Sequence, residues 1–109
     1  MKLVNLTPHT LNIHTPDGVV TLPPSGEVAR VSTVSVSGLS VAGDWGFIPT
    51  VTTTFGEVTG LPKRTESTAL IVSGMVASAA PRDDVLSPGD LVRDENGRPV
   101  GCLGLRRSQ

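Results

Sequence analysis

The sequence predicts an α+β domain in which a mostly antiparallel, twisted β-sheet or partial barrel accompanies one short helix at about residues 73–80. Valine and threonine are abundant, and such β-branched residues crowd a helix but suit a pleated sheet. The chain also has 12 glycines and 9 prolines, which mark frequent turns. Several short segments alternate apolar and polar residues, as half-buried strands do. Strand patterns before and after a single helical pattern are typical of the α+β class.

Length and charge set the limits on function. At 109 residues, the chain has room for a single domain, 1–109, with one core. The lone Cys102 excludes an internal disulfide and fits a reducing compartment. A net charge of −1 offers no electrostatic footprint for a nucleic acid polymer or a membrane surface. With no apolar run of ~20 residues and no signal-peptide pattern, we expect a cytoplasmic protein.

The first elements form a hairpin. Residues 2–6 predict a short strand, and residues 10–14 alternate with one apolar face. A Pro-Asp-Gly turn at residues 15–18 then fixes φ at proline and allows a positive φ at glycine. Because residues 19–22 are again apolar, the pattern predicts an antiparallel return.

The middle of the chain continues in alternating segments. Residues 27–33 and 34–41 alternate, and the apolar parity changes at Gly38, which predicts a bulge or bend there. Residues 47–55 are rich in threonine and contain Pro49. Because proline cannot donate to a strand ladder, this segment is predicted to be an edge strand.

Residues 68–72 are apolar throughout, as a central strand covered on both faces would be. Ser73 can cap a helix that runs to about Ala80 and is ended by Pro81. The pattern predicts turns at Asp83-Asp84 and at residues 87–90. A second hairpin is predicted between residues 91–93 and 98–105, because Asn96-Gly97 is a strong hairpin signal.

Arginines and aspartates cluster beside the predicted helix. Arginine offers a planar fork that binds phosphate or carboxylate through two bonds, and aspartate can bind a ribose diol. The same residues can instead form a surface ion-pair network of little energetic value. Both interpretations remain open for this set: Arg82, Asp83, Asp84, Arg93 and Asp94.

A second polar cluster lies between the first two strands. Asn5, His9 and Thr10 can present amide, imidazole and hydroxyl groups to a ligand, or can satisfy the local backbone. We expect His9 to be half-buried and bonded to a backbone carbonyl. His9 and His14 lie on opposite faces of one strand, so we expect no metal site and no cofactor.

Ser73 lies between a buried strand and a helix, as a catalytic nucleophile can. The Gly-x-Ser-x-Gly frame is missing, so a helix cap is the better interpretation. The same helix start, with Gly74 allowing close approach, could also receive a phosphate or carboxylate.

Several motifs follow one another over nearly the whole chain, at residues 5–9 (Asn-Leu-Thr-Pro-His), 24–31, 56–62, 71–73, 82–85 and 91–97 with Gly101. Together they resemble a family of small uncharacterised proteins from bacteriophages, prophages and bacteria. Pro99 and Cys102 stand where the family favours isoleucine-like residues. The resemblance implies a phage or bacterial setting but supplies no activity and no catalytic residues.

The leading functional prediction is non-catalytic binding of a small anionic, nucleotide-like ligand. In a phage setting, this would be an anti-defence sponge for a host nucleotide signal. We expect a homo-oligomer, because a chain with so few aromatic residues gains stability from a subunit interface. The predicted ligand-binding residues are Asn5, His9, Thr10, Ser73, Arg82, Asp83, Asp84, Arg93 and Asp94, with Arg82 and Arg93 holding the anion in one shared concavity.

Two other functions remain open. One is a protein–protein interaction module, as an inhibitor of a host protein or a minor phage structural protein, because the edge strand at residues 47–55 could pair with a partner's edge. The other is a small enzyme acting on a phosphorylated or nucleotide substrate, with His9 and Asp84 as an acid–base pair.

Overall fold

The structure is a computed structural model, and it describes residues 1–107. Within this range it is β-rich, with one short helix, as the sequence predicts. The elements in chain order are β1 (Lys2–Asn5), β2 (Leu11–Thr15), β3 (Gly18–Leu22), β4 (Arg30–Ser37), β5 (Val41–Gly43), β6 (Gly46–Ile48), β7 (Val51–Thr59), β8 (Thr68–Ile71), α1 (Gly74–Ala79), β9 (Val85–Arg93) and β10 (Pro99–Arg107).

Six strands form one mixed sheet in the order β1-β8-β9-β10-β2-β3. The pairs β1–β8, β8–β9 and β10–β2 are parallel, whereas β9–β10 and β2–β3 are antiparallel. The sheet curls into a half-barrel. The predicted mostly antiparallel arrangement is therefore only partly matched, because this principal sheet is mixed, although both predicted hairpins are present.

The parallel pairing of β8 and β9 follows from the helix between them. Parallel strands need a crossover connection, and α1 supplies it after the buried strand. Ser73 caps this helix, because its Oγ accepts a hydrogen bond from the backbone N–H of Val76 at 3.3 Å. The predicted N-cap is confirmed. Among residues 1–107, no helix has the length and apolarity that a membrane crossing requires.

The core lies between the helix and the β8 region of the sheet. Fully burying a valine or leucine side chain contributes about 1.5–3 kcal/mol, so this layer accounts for much of the stability. Partly buried residues from the β4–β7 pair close its side. The buried cluster consists of Leu6, Ala29, Leu70, Val72, Val76, Ala77 and Val85.

Residues 87–90 are not the predicted turn, because they continue strand β9. Ser87 lies opposite Arg106, and Asp90 lies opposite Leu103. Pro88 is tolerated because it lies beyond Leu86, the last residue of β9 that pairs with β8. A long partner strand, β10, thus overrides local turn chemistry.

Residues 30–59 form a separate ribbon, which we call the arm. Strands β4 and β7 pair from Arg30–Thr59 to Ser37–Val51. Beyond them, residues 38–50 form the tip, with the small β5–β6 hairpin. Pro49 interrupts the strand predicted at 47–55. Strand β4 ends at Ser37, directly before Gly38, where the sequence predicted a bulge or bend.

The arm makes the molecule elongated. The radius of gyration is 17.5 Å, compared with about 13 Å for a compact chain of this length. The principal extents are 53 × 40 × 23 Å. Near its base, Val31 and Val58 pack against the core, while the rest of both arm strands is exposed.

Candidate functional sites

Arg82 and Asp84 form a clamp inside the body, by which we mean residues 1–29 and 60–107, outside the arm. The Nε of Arg82 donates to Oδ1 of Asp84 at 2.9 Å, and Nη2 donates to Oδ2 at 2.6 Å. Nη1 also donates to the carbonyl of Pro62 at 3.1 Å. The side chain of Asp84 is only 5% exposed. This geometry ties the connector before β8 to the start of β9.

The clamp sets the charge states of both partners. The hydrogen bond from Arg82 is the largest influence and lowers the pKa of Asp84, against an opposing effect of burial. The same bond raises the pKa of Arg82. Both groups are therefore ionised at neutral pH, and the guanidinium is already occupied by a carboxylate. A role for Arg82 in holding an anion stays a prediction that this pairing does not favour.

Arg93 and Asp94 lie at the other end of β9. Arg93 donates to the carbonyl of Gly97 at 2.8 Å, and Asp94 Oδ1 accepts from the backbone N–H groups of Asn96 and Arg98 at 2.9 Å. These bonds stabilise the hairpin turn. The nine residues of β9 span roughly 25–30 Å, so Arg82 and Arg93 do not share the concavity that was predicted.

Asn5 is a structural residue at the end of β1. It is buried at 3% exposure, and its Nδ2 donates to the carbonyls of His9 and Leu22 at 2.8 and 3.1 Å. Its Oδ1 accepts from the backbone N–H and the hydroxyl of Thr7 at 3.0 and 2.6 Å. Both ends of the amide are satisfied by the adjoining loop and by the end of β3. The interpretation that this corner serves its own backbone is the one that fits Asn5.

His9 and Thr10 are exposed, so the half-buried histidine that we expected is wrong. They border a depression of about 800 Å³ between β2, β9 and β10, which we call the apolar groove. At its floor, Gly101 allows close strand approach, because a Cβ there would collide with the carbonyl of Asn12 and the ring of His14. The walls include Leu11, Pro88, Leu91, Pro99 and Val100.

A second depression, the charged cleft, lies beside the starts of β1 and β8. Its volume is about 470 Å³. Arg64 and Asp83 form an exposed ion pair at its border, with Nη2 to Oδ2 at 2.8 Å. Ser73 does not line this cleft, and His9 lies on the apolar groove instead. The polar lining of the cleft consists of Arg64, Thr65, Glu66, Ser67, Thr68, Asp83, Asp84 and Arg107.

The two arginines of the charged cleft, Arg64 and Arg107, were not predicted from the sequence as site residues. Arg64 belongs to the polar connector 60–67, and Arg107 ends β10. Among residues 1–107, Arg107 has no ion-pair partner. A signal was present in the adjacent pairs Lys63-Arg64 and Arg106-Arg107, but only the fold brings the two segments to one depression.

Apart from Met1 at the N-terminus, the most exposed large apolar side chains of residues 1–107 are on the arm. The sequence has one tryptophan, two phenylalanines and no tyrosine, and all three aromatic residues are on the arm. Trp45 is 90% exposed, Phe47 is 80% exposed, and Phe55 is 46% exposed. Leu39 at the tip is also 90% exposed. Aromatic side chains usually dominate cores and interfaces, and here none of them is in the core.

The arm's long edges are also unpaired. Strand β4 pairs only with β7, and no other strand of residues 1–107 joins this ribbon. Each outer edge therefore presents backbone N–H and C=O groups that another strand could bind. Asp44 is the only charged residue between Val31 and Gly56. Between Val31 and Gly56 the arm is consequently nearly uncharged and open to pairing.

No group of three His, Cys, Asp or Glu residues within 1–107 is placed to hold a metal ion. Comparison with other proteins adds no assignment, since no protein-family model, curated protein or solved structure shows significant similarity to this chain.

Proposed function

We propose that this chain is a protein–protein association module that acts through its arm. The observation that carries the proposal is the exposure of all three aromatic residues on a ribbon that packs only at its base. A two-stranded ribbon is marginally stable alone in water. Large exposed apolar patches mark interaction sites, and tryptophan is enriched among the residues that dominate binding energy.

The partner that the proposal favours is a second copy of this chain, giving a homo-oligomer. The arm presents no charge pattern that would select a strongly acidic or basic protein, so apolar packing and strand pairing would supply the contact. An inhibitor of a host protein or a minor phage structural protein would use the same surface. Mass measurement of the purified protein separates self-association from dependence on a foreign partner.

The test compares the mass in solution of the wild type with that of a Trp45→Ser/Phe47→Ser double variant. We expect the wild type to be oligomeric by light scattering and native mass spectrometry, and the variant to have the 11.3 kDa mass of one chain. A Val19→Ser/Val20→Ser variant is the control, because those valines are exposed outside the arm. A wild type that remains monomeric up to its solubility limit would refute self-association.

A second candidate function is the binding of a small anionic, nucleotide-like ligand in the charged cleft. The favouring observation is that Arg64 and Arg107 border one depression together with the Ser67 and Thr68 hydroxyls. Its volume of about 470 Å³ is in the usual range for small-molecule sites. Asp83 could then bind a ribose hydroxyl. For a phage protein, such non-catalytic binding would sequester a host nucleotide signal.

Ligand binding is tested by native mass spectrometry of the freshly purified protein and by thermal shift against nucleotides and cyclic dinucleotides. A bound ligand should raise the midpoint as its concentration rises. Arg64→Ala and Arg107→Ala should each reduce the shift, while Arg98→Ala, which changes an exposed arginine on the distant hairpin, should not. Equal shifts in all four proteins would exclude this cleft.

A further inference from the structure

We infer that the arm tip of one copy docks in the apolar groove of a second copy, and that the tip of the second copy docks in the groove of the first. This inference rests on the proposed self-association and names the surface that receives the arm. It concerns a groove on the opposite part of the sheet from the charged cleft, so it is independent of ligand binding.

The tip is not covered by its own chain. Leu39 and Trp45 are each 90% exposed, and Phe47 is 80% exposed. Side chains with such exposure cannot be filling the groove of the same copy. The groove is likewise open, since Leu91 on its wall is 58% exposed and Val100 is 41% exposed. One chain therefore carries both an unfilled apolar groove and an unburied apolar tip.

The two surfaces match in charge. The groove is lined by no lysine, arginine, aspartate or glutamate. The tip, residues 38–50, has Asp44 as its only charged residue. Docking would thus desolvate at most one charged side chain per tip, and desolvation of charge is the main cost that opposes burial of polar surfaces.

The two surfaces also match in size. The groove has a volume of about 800 Å³, which is within the range of pockets that hold drug-sized ligands. It can therefore receive bulky side chains. Two aromatic side chains bury about 150–250 Å² each, so two reciprocal contacts bury roughly 600–1,000 Å² of the tips. The smaller area lost by the two grooves brings the total to about 1,000 Å² or more, the minimum expected of a specific interface. A single tip contact would fall below that minimum.

Reciprocal exchange also closes the assembly. A groove and a tip at different places on one chain make a head-to-tail contact, which produces open filaments unless the symmetry closes it. A two-fold axis between the copies fills both grooves and leaves no tip exposed. The inference therefore specifies a closed dimer as the basic unit.

The experiment uses two variants that each remove one side of the contact. The tip variant is Trp45→Ser/Phe47→Ser, and the groove variant is Leu91→Ser/Val100→Ser. All four side chains are substantially exposed, so neither double substitution should lower the thermal unfolding midpoint of the folded monomer. Each variant alone should have the mass of one chain by light scattering, while the Val19→Ser/Val20→Ser control should assemble.

Mixing the two variants gives the decisive result. In an equimolar mixture, the intact groove of the tip variant can receive the intact tip of the groove variant, so a one-to-one complex should form, more weakly than the wild-type dimer. Trp45 is the only tryptophan, so its emission should shift to shorter wavelength as it enters the groove. That shift should depend on concentration in the wild type and be absent in the groove variant alone.

The outcomes distinguish this inference from the proposed function. A groove variant that assembles as the wild type does, while the tip variant does not, would leave arm-mediated association standing and overturn docking in the groove. Two monomeric variants that remain monomeric when mixed would also overturn reciprocal docking. A tip variant that assembles normally would overturn the proposed function itself.

Discussion

The body and the arm are built from the same types of residue but differ in what covers them. In the body, three valines of the core between the helix and the sheet, Val72, Val76 and Val85, are at most 2% exposed. On the arm, Val34 and Val36 remain 54% and 53% exposed in regular paired strands. β-branched residues thus specify strands in both regions. Whether a strand becomes core depends on a second layer, which the arm lacks within one chain.

The largest expected effect contrasts a buried position with its exposed counterpart. Ile71 is 0% exposed in the central strand β8, so Ile71→Ala should lower the free energy of unfolding by about 2–5 kcal/mol through lost burial and a cavity. Val36→Ala on the arm should change it by no more than about 0.5 kcal/mol in the monomer. Chemical denaturation of both variants at low concentration measures the difference. Equal losses would show that the arm is covered.

The next effect concerns the clamp that holds the body's connector. Asp84→Asn should destabilise the protein by about 2–4 kcal/mol, because it leaves the guanidinium of Arg82 without its buried carboxylate. Asp83→Asn is the matched control, because it removes an exposed ion pair with Arg64 and should cost less than ~0.5 kcal/mol. Denaturant midpoints of the two variants give the comparison. Similar costs would mean that the clamp is no stronger than a surface pair.

The clamp should also give the body a specific acid sensitivity. Because the pKa of Asp84 is lower in the folded state, this group stabilises the fold above its unfolded value of about 3.9. That contribution declines as the pH falls below this value and is lost as the pH passes the folded pKa. The free energy of unfolding, measured from pH 6 to about pH 2, should therefore fall more steeply with decreasing pH in the wild type than in Asp84→Asn. Parallel curves would argue against the lowered pKa.

The smallest expected effect on stability comes from shortening the arm. Replacing residues 38–50 by Asn-Gly would join the paired residues Ser37 and Val51 through a two-residue hairpin turn. The free energy of unfolding of the monomer should change by less than about 1 kcal/mol, since the removed residues are almost all exposed. Self-association should be lost. A shortened chain that fails to fold would show that the body depends on the tip.

Local patterns were sufficient for much of the fold and little of the site. The hairpins, the buried strand at 68–72 and the cap at Ser73 depend on neighbouring residues, and the sequence predicted them. The parallel pairing of β8 with β1 was not predicted, because β1 lies more than sixty residues earlier in the chain. The turn predicted at 87–90 failed because β10 provides a long pairing partner that turn propensity does not reveal.

The candidate site failed where it required distant residues to meet. Arg82 and Asp84 are two positions apart, and their pairing as an ion network was one of the two interpretations left open. Arg93 is eleven residues after Arg82, but an extended strand separates the two guanidinium groups. The charged cleft brings Arg64 and Arg107 to one depression. The arm is exposed because no other part of residues 1–107 packs over it beyond its base. Neither property can be obtained from spacing along the chain.

The position of β10 has a consequence for synthesis of the protein. This strand lies inside the sheet, between β9 and β2, so the early hairpin β2–β3 cannot join the later strands until β10 has left the ribosome. A message truncated just before Pro99 would yield two unjoined half-sheets with newly open edges. Such products would be targets for proteolysis, and quality control of this sheet during synthesis would depend on β10.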